Sequence, residues 1–484
     1  VIKKEVVVDS FLKENQNWAN VKLGELISFE YGKSLVKSER NHNSHYPVFG
    51  SSGLIGYHSD YLVKGPSLII GRKGSIGKVY LVKSNCWPID TTYFIKPTKH
   101  INLYFLNQLL VFLNLGNLDK STAVPGLNRN DAYNIEIPLP PLNEQKRIVA
   151  KIEELFTNLD AGVESLKRLK AQVKKYRQSV LKSAFEGNLT KEWREEQMKD
   201  LALTKKSTNT KFEENHSLSN INKSSDNSSE VILFKVPDNW KWTSIGNNAT
   251  FIGSGVTPKG GKKVYVSEGI LFIRSQNVYM SGLKTDDIAC ITKEIHEKMK
   301  RTKIQSKDVL LNITGASIGR STTIPINIKE ANVNQHVCII RNPYISPYFL
   351  SYFLNSKSGQ VQIFQMQSGA TREGLNFQQV RALKIPLPPI SEQHQIVSEI
   401  ERHFSIADAV EKIIDESLNK AEKLRQSILK KAFEGKLVPQ DPNDEPASVL
   451  LEKIKAEKAE REAEAGDNAV KKKALPRKKK TEVK

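Results

Sequence analysis

IPLPPLNEQKRIVAKIEELFTNLDA at residues 137–161 returns as IPLPPISEQHQIVSEIERHFSIADA at 385–409, and this pair decides the fold. Further along, KYRQSVLKSAFEGNL at 175–189 returns as KLRQSILKKAFEGKL at 423–437. The offset is 248 throughout, and 25 of the 54 positions from 137 to 190 are identical without a gap. So long a match is a duplicated module, and it fixes the architecture before any local reading. Each copy opens on IPLPP, whose prolines lack N–H groups and hold φ, so neither a sheet nor a helix continues through them. A helix is predicted from Glu144 to Glu186. Heptad spacing puts Ile152, Leu159, Leu166, Val173 and Val180 in one row and Leu155, Leu169 and Tyr176 in a second, the pattern of a coiled-coil seam. In the second copy the rows are Ile400, Ala407, Ile414, Ala421 and Ile428, with Val410 and Leu424 beside them, a thinner seam that calls for a packing partner. Gly187 and Gly435 follow as C-terminal stops. At 1.5 Å per residue each helix is a rod of roughly 65 Å.

A non-helical block precedes each helix, and the two blocks open alike, NWANVKLGELISFEYG at 17–32 against NWKWTSIGNNATFIGSG at 239–255. Islands recur in order: Ser75-Ile76-Gly77-Lys78 with Ser317-Ile318-Gly319-Arg320, Tyr104-Phe105-Leu106 with Tyr348-Phe349-Leu350, and Gly126-Leu127-Asn128 with Gly374-Leu375-Asn376. Short β-rich runs such as SLIIG, KVYLV, DVLLNI and HVCIIR, split by turn residues, predict compact α+β domains. The organisation expected is a first block at 1–136, a helical region at 137–200, a Ser/Asn-rich linker at 201–239, a second block at 240–384, a second helical region at 385–438 and a helical, basic tail at 439–484. The fold class is α+β, with two globular domains alternating with two long helices. A pseudo-twofold internal repeat would pack those helices as an antiparallel coiled coil.

The chain of 484 residues carries net charge +20, and a lysine-rich tail is the simplest source. That source is too small: the final 14 residues hold +7, whereas 1–136 carries +5 and 240–384 carries +11. Positive charge spread over folded blocks favours a polyanionic partner, nucleic acid first. The helical segments 137–200 and 385–438 carry only +3 and −1, as expected of surfaces that meet protein. Cys86, Cys290 and Cys338 lie far apart with no ligand spacing, which fits a reducing cytoplasm. No apolar run is long enough for a membrane span, no secretory signal is visible, and the start at Val1 is read as a processed one.

The motifs IPLPP-x-x-EQ with a helix ending in AFEG-x-L, present twice, NW-x-W-x-x-I-G ahead of GSGVTP (239–258), and VPQDPNDEPAS (438–448) carry a resemblance. Over nearly its whole length the chain resembles the specificity subunit of type I restriction-modification systems. The first block departs from the pattern, with Ser34 and Leu35 where the second has Val256, Thr257 and Pro258. The resemblance implies two target recognition domains, each reading one half of a bipartite site in double-stranded DNA. It also implies helices that set the spacing and dock two methyltransferase subunits, with two restriction/translocase subunits completing the complex. S-adenosylmethionine, for methylation of adenine N6, and ATP and Mg are then expected on those partners, with no cofactor and no catalytic residue in this chain, a cytoplasmic protein.

Phe251-Ile252-Gly253-Ser254-Gly255 matches a methyltransferase cofactor loop and Asn342-Pro343-Tyr344 falls one proline short of an adenine-gripping motif, so both read more simply as a turn and a loop. No phosphate-binding G-x-x-x-x-G-K-[ST] occurs, and His42 and His45 read as a surface loop rather than a metal site. A self-sufficient methyltransferase, or a coiled-coil scaffold binding acidic protein or RNA, are the alternatives.

Arg and Lys suit guanine O6 and N7, and Asn and Gln suit adenine N6 and N7. The DNA-reading candidates are therefore Arg72, Lys73, Lys78, Asn128 and Arg129 in the first block. In the second they are Arg274, Gln276, Asn277, Asn312, Thr314, Arg320, Thr371, Arg372 and Asn376. For each residue singly, a structural cap or a solvated loop is the competing reading.

Overall fold

The computed structural model describes residues 16–40, 44–96, 98–118, 126–207, 234–247, 249–367 and 374–474. The chain forms two compact units, Val1–Leu166 with Glu416–Lys484, and Lys167–Asp415. Both long helices, Leu142–Phe185 and Ile390–Phe433, have 44 residues and pass from one unit into the other. Each unit therefore holds one globular domain, the start of one helix and the end of the other.

The globular domains share a topology that their divergent sequences conceal. The first has a four-stranded antiparallel sheet in the order Glu30–Tyr31, Thr92–Ile95, Ser67–Gly71, Val79–Val82; the second has Phe251–Ser254, Val337–Arg341, Val309–Asn312, Ser321–Thr323 in corresponding places. Central strands such as SLIIG and VLLN are buried at every position, so they read as continuous apolar runs rather than alternating ones. A three-stranded sheet accompanies each, with one parallel pair, Tyr46–Gly50 beside Trp87–Pro88 and Ile270–Ile273 beside Ala331–Val333. The proline strands Glu136–Leu139 and Lys384–Leu387 pair on one side only, with Ala19–Lys22 and Lys241–Ser244, which is where a strand tolerates proline.

The repeated motifs are the joints between domain and helix. In the first unit Trp18 Nε1 donates to Glu144 Oε2 at 2.9 Å, Gln145 Oε1 accepts from Asn102 N at 2.9 Å, and Gln145 Nε2 donates to Pro140 O at 3.0 Å. The second unit repeats all three: Trp240 to Glu392 at 2.9 Å, Ser346 N to Gln393 at 2.8 Å, and Gln393 to Pro388 O at 3.0 Å. The EQ pair thus ties the helix start to the tryptophan of NW and to the domain helix that begins at Leu103 or Pro347. Helix ends complete each core from the other copy. Phe433 packs edge-on to Phe105 at 5.5 Å in the first unit, and Phe185 packs edge-on to Phe349 and Phe353 at 5.2 and 5.1 Å in the second.

The two carboxylates of these joints differ. Glu392 also accepts from Arg194, whereas Oε1 of Glu144 is buried without a hydrogen-bond partner. Burial pushes the Glu144 carboxyl above its ordinary value, against the smaller opposing effect of the Trp18 hydrogen bond. Its contribution to stability is therefore complete below the unfolded value near 4.3 and is lost as pH rises through the higher folded value. An E144Q variant, which keeps an acceptor for Trp18, is expected to be more stable than the wild type by about 1 kcal/mol at neutral pH, with the gain vanishing toward pH 4. Urea midpoints of both proteins between pH 4 and 8 check this; a gain that grows on acidification refutes it.

Within each unit the helix segments run antiparallel. Lys170 meets Asp415 and Arg177 meets Asp408 in the second unit, and Arg425 meets Asp160 in the first, one number falling as the other rises. The first heptad row faces inward, with Ile152, Val180, Ile400, Ala407, Ile414 and Ile428 buried and Leu159, Leu166, Val173 and Ala421 half-buried. Of the second row only Leu155 is half-buried, against the first unit's core, while Leu169, Tyr176, Val410 and Leu424 are exposed. Charged pairs and the stacking of Arg177 over Phe404 and Arg425 over Phe156 flank the seam instead.

Beyond Gly187 the helix Lys191–Ser207 follows, and the tail forms the helix Ala447–Ala474. Ala447, Leu450 and Ile454 of the latter are buried in the first unit's core, and Asp444 pairs with Arg147 at 2.7 Å. Among the described residues no helix is long and apolar enough to cross a membrane.

Candidate nucleic-acid interface

Three loops meet at one end of each four-stranded sheet. In the first domain these are the 71–78 turn, the step before Thr92 and the Gly126-Leu127-Asn128 segment. Arg72 N donates to Thr91 O at 2.9 Å, Leu127 N donates to Arg72 O at 2.9 Å, and Lys73 bridges to Gly126. The second domain repeats the arrangement with Ile313 N to His336 O at 3.0 Å, Leu375 N to Ile313 O at 2.8 Å, and a bridge from Thr314 to Gly374. The Ser-Ile-Gly island explains itself here. Gly77 and Gly319 have φ of +70° and +83° and send their N–H groups to Gly71 O and Asn312 O, closing the turn in a conformation that favours glycine.

On this shared backbone the side chains differ. In the first domain the exposed Tyr31 ring lies between two candidate arginines, with Arg72 5.2 Å and Arg129 5.7 Å from its centroid. Arg72 is steadied by a 2.7 Å hydrogen bond to Asp90 O. Beneath them burial pushes the Tyr93 phenol up to about 12, so it stays protonated and donates to Leu127 O at 3.2 Å. Lys73 and Lys78 are exposed in the same turn. Asn128 caps the helix Arg129–Tyr133, accepting from Asn130 N at 2.8 Å, and Asn376 caps Phe377–Ala382 in the matching place.

In the second domain an open groove brings together Gln276, Thr314 and Arg320 with Tyr279, Ser317 and His336. Tyr279 is flanked by two cations, Lys284 at 4.4 Å and Arg320 at 5.0 Å, the same chemistry as around Tyr31. Two candidates turn inward instead. Asn277 is buried and spans the backbone of Arg274, Lys284 and Asp287; Asn312 is buried and donates to Ser275 O at 2.8 Å. Both hold loops in shape. Arg274 stacks on Tyr265 and donates to Asp287 O, outside the groove lining. Thr371 and Arg372 lie outside the described residues.

The two cofactor-like motifs have structural explanations. Phe251–Ser254 is an edge strand, and a Cβ on Gly255 would fall 1.7 Å from Val333 O, so glycine is needed for close backbone approach. Asn342 accepts from Tyr344 N at 3.0 Å, a local turn leading to the helix Pro347–Asn355. Among the described residues no group of three or more His, Cys, Asp or Glu side chains is placed to hold a metal.

A family model described as the type I restriction modification DNA specificity domain matches residues 15–175 and again 237–420. The chain belongs to this type I DNA specificity family. The chain is similar to the type I restriction enzyme EcoBI specificity subunit of Escherichia coli, 28% identical over 96% of this chain and 97% of that one. The EcoDI specificity subunit of Escherichia coli is 27% identical over 95% and 98%. A solved chain from work on complex assembly and conformational transition of the type I R-M system shares the fold with TM-score 0.59, at 20% identity, over 87% of this chain and 98% of that one.

Sequence reasoning did not single out Tyr31, Tyr279 or His336, which the structure places beside the candidates. A polar NQH triplet directly before the apolar VCII run was a usable signal, since a polar residue at a strand entrance sits at the sheet end.

Proposed function

We propose that this chain is the DNA-reading specificity subunit of a cytoplasmic type I restriction-modification complex. Each domain reads one half of a bipartite duplex site through its three-loop end, and the helices set the interval between the halves. The observation that carries this is the recurrence of the same loop backbone in both domains with different side chains upon it, which is what two readers of different sequences require. The charges of +5 and +11 over 1–136 and 240–384 supply attraction to phosphate.

The exposed second row suits docking by protein. In the second unit Ile406, Val410 and Ile413 form an exposed i, i+4, i+7 stripe on the long helix. Two methyltransferase subunits are the partners proposed for the helices, carrying S-adenosylmethionine, with two restriction subunits supplying ATP- and Mg-dependent cleavage. This chain supplies address rather than reaction.

The test is a domain exchange. Full-length protein with residues 18–136 replaced by the corresponding domain of a relative is produced with a type I modification subunit, and modified adenine is mapped by sequencing. One half of the methylated split motif is expected to change while the other half and the interval stay fixed. Altered bases in both halves, or no split motif from the wild type, refute the reading.

A further inference from the structure

The groove of the second domain contains a hydrogen-bond chain whose donors and acceptors can be assigned link by link. Thr257, from the GSGVTP turn, donates through Oγ1 to Oε1 of Gln335. An amide oxygen only accepts, so this contact sets the orientation of the Gln335 amide. Its Nε2, which only donates, lies 3.0 Å from Nε2 of His336. That imidazole nitrogen must accept, so the proton sits on Nδ1, which faces Oγ1 of Thr314. The chain Thr257–Gln335–His336–Thr314 is therefore directional, and it locks an exposed glutamine at the rim of the groove that holds Gln276 and Arg320.

The position matters as much as the lock. Strand register pairs Gly71 with Thr92 and Asn312 with Val337, so Gln335-His336 occupies the same backbone step as Asp90-Thr91 in the first domain. The two domains present different side chains from one shared place. At Gln335, Thr257 uses one lone pair of Oε1 and His336 uses one hydrogen of Nε2, leaving one acceptor site and one donor hydrogen. Adenine offers the complementary pair in the major groove, N6–H and N7, whereas guanine offers two acceptors.

We infer that Gln335 reads an adenine in the half-site of the second domain, with Thr257 and His336 as positioning residues that fix its amide. This rests on the DNA-reading function proposed above. The experiment uses the full chain with a modification subunit, and takes two readouts: the methylated motif, and binding to duplexes carrying each of the four base pairs at every position of one half-site. Q335E, an acceptor only, should lose the adenine preference at a single position, on the order of 10- to 100-fold, and shift toward a cytosine-bearing pair. T257V frees the amide to rotate, and should relax the same position by a smaller factor. The other half-site stays unchanged in both. If Q335E abolishes all methylation, T257V decides: relaxation at one position of the second half-site supports the inference, and an unaltered motif overturns it. Wild-type specificity retained by both variants overturns it while leaving the DNA-reading function standing. Failure of the wild type to direct any split motif instead removes that function itself.

Discussion

An F185A variant is expected to lose about 3–5 kcal/mol of the stability of the second unit. Phe185 is the aromatic of AFEG, 2% exposed, and it inserts edge-on between Phe349 and Phe353 beside Val180, Leu181 and Ala184. Truncation removes the transfer energy of the ring and leaves a cavity lined by two other rings, both buried on the helix Pro347–Asn355, with little freedom to collapse. Phe433 stands in the same relation to Phe105 and Phe112 in the first unit. F433A should therefore weaken that unit by a comparable amount, so the two variants destabilise opposite halves of the protein. Urea unfolding of the full chain, followed by hydrogen exchange in each half, separates them. Equal loss of protection in both halves from either variant would show that the aromatic contacts do not act locally.

A second large effect is expected from E392A, about 3–5 kcal/mol. Glu392 is buried and accepts four hydrogen bonds: from Thr190 Oγ1 at 3.0 Å and from Arg194 through Oε1, and from Trp240 Nε1 at 2.9 Å and Asn239 Nδ2 at 3.4 Å through Oε2. Removing the carboxylate leaves a largely buried guanidinium and a buried indole N–H without their acceptor. Arg194 also donates to Gly187 O at 2.8 Å, so its displacement frees the end of the first long helix as well. Converting Arg194 to methionine in the E392A background should recover part of the loss, since it removes the stranded charge. Thermal unfolding of wild type, E392A and the double variant measures this. A double variant no more stable than E392A would mean that the stranded charge is not the cause.

The sequence made much of the frame legible. The 248-residue repeat located both helices within two residues at the first end and one at the last, and the β-rich runs SLIIG and HVCIIR became the buried central strands Ser67–Gly71 and Val337–Arg341. The first heptad row faces inward as its spacing implies. The second row shows the limit of periodicity, which tells which residues share a helix face but not whether anything covers it; Leu169, Tyr176, Val410 and Leu424 stay exposed. Candidate reading residues met the same limit. Asn277 and Gln276 are adjacent and equally polar, yet one amide is spent on three backbone groups inside the loop while the other lines the groove.

What the sequence by itself determined is the duplication, the alternation of domain and helix, and the placement of positive charge on the domains, because these are written in identity at fixed offset, in spacing and in composition. Only the tertiary structure decided that each AFEG end completes the core beside the other copy's helix start, and that EQ answers the tryptophan of NW. It also decided which polar side chains on the shared loops face the groove. The joints depend on contacts between residues more than a hundred positions apart, and the groove-facing side chains on contacts across loops 3 to 78 positions apart, so the direction of a side chain is set by the partner it finds.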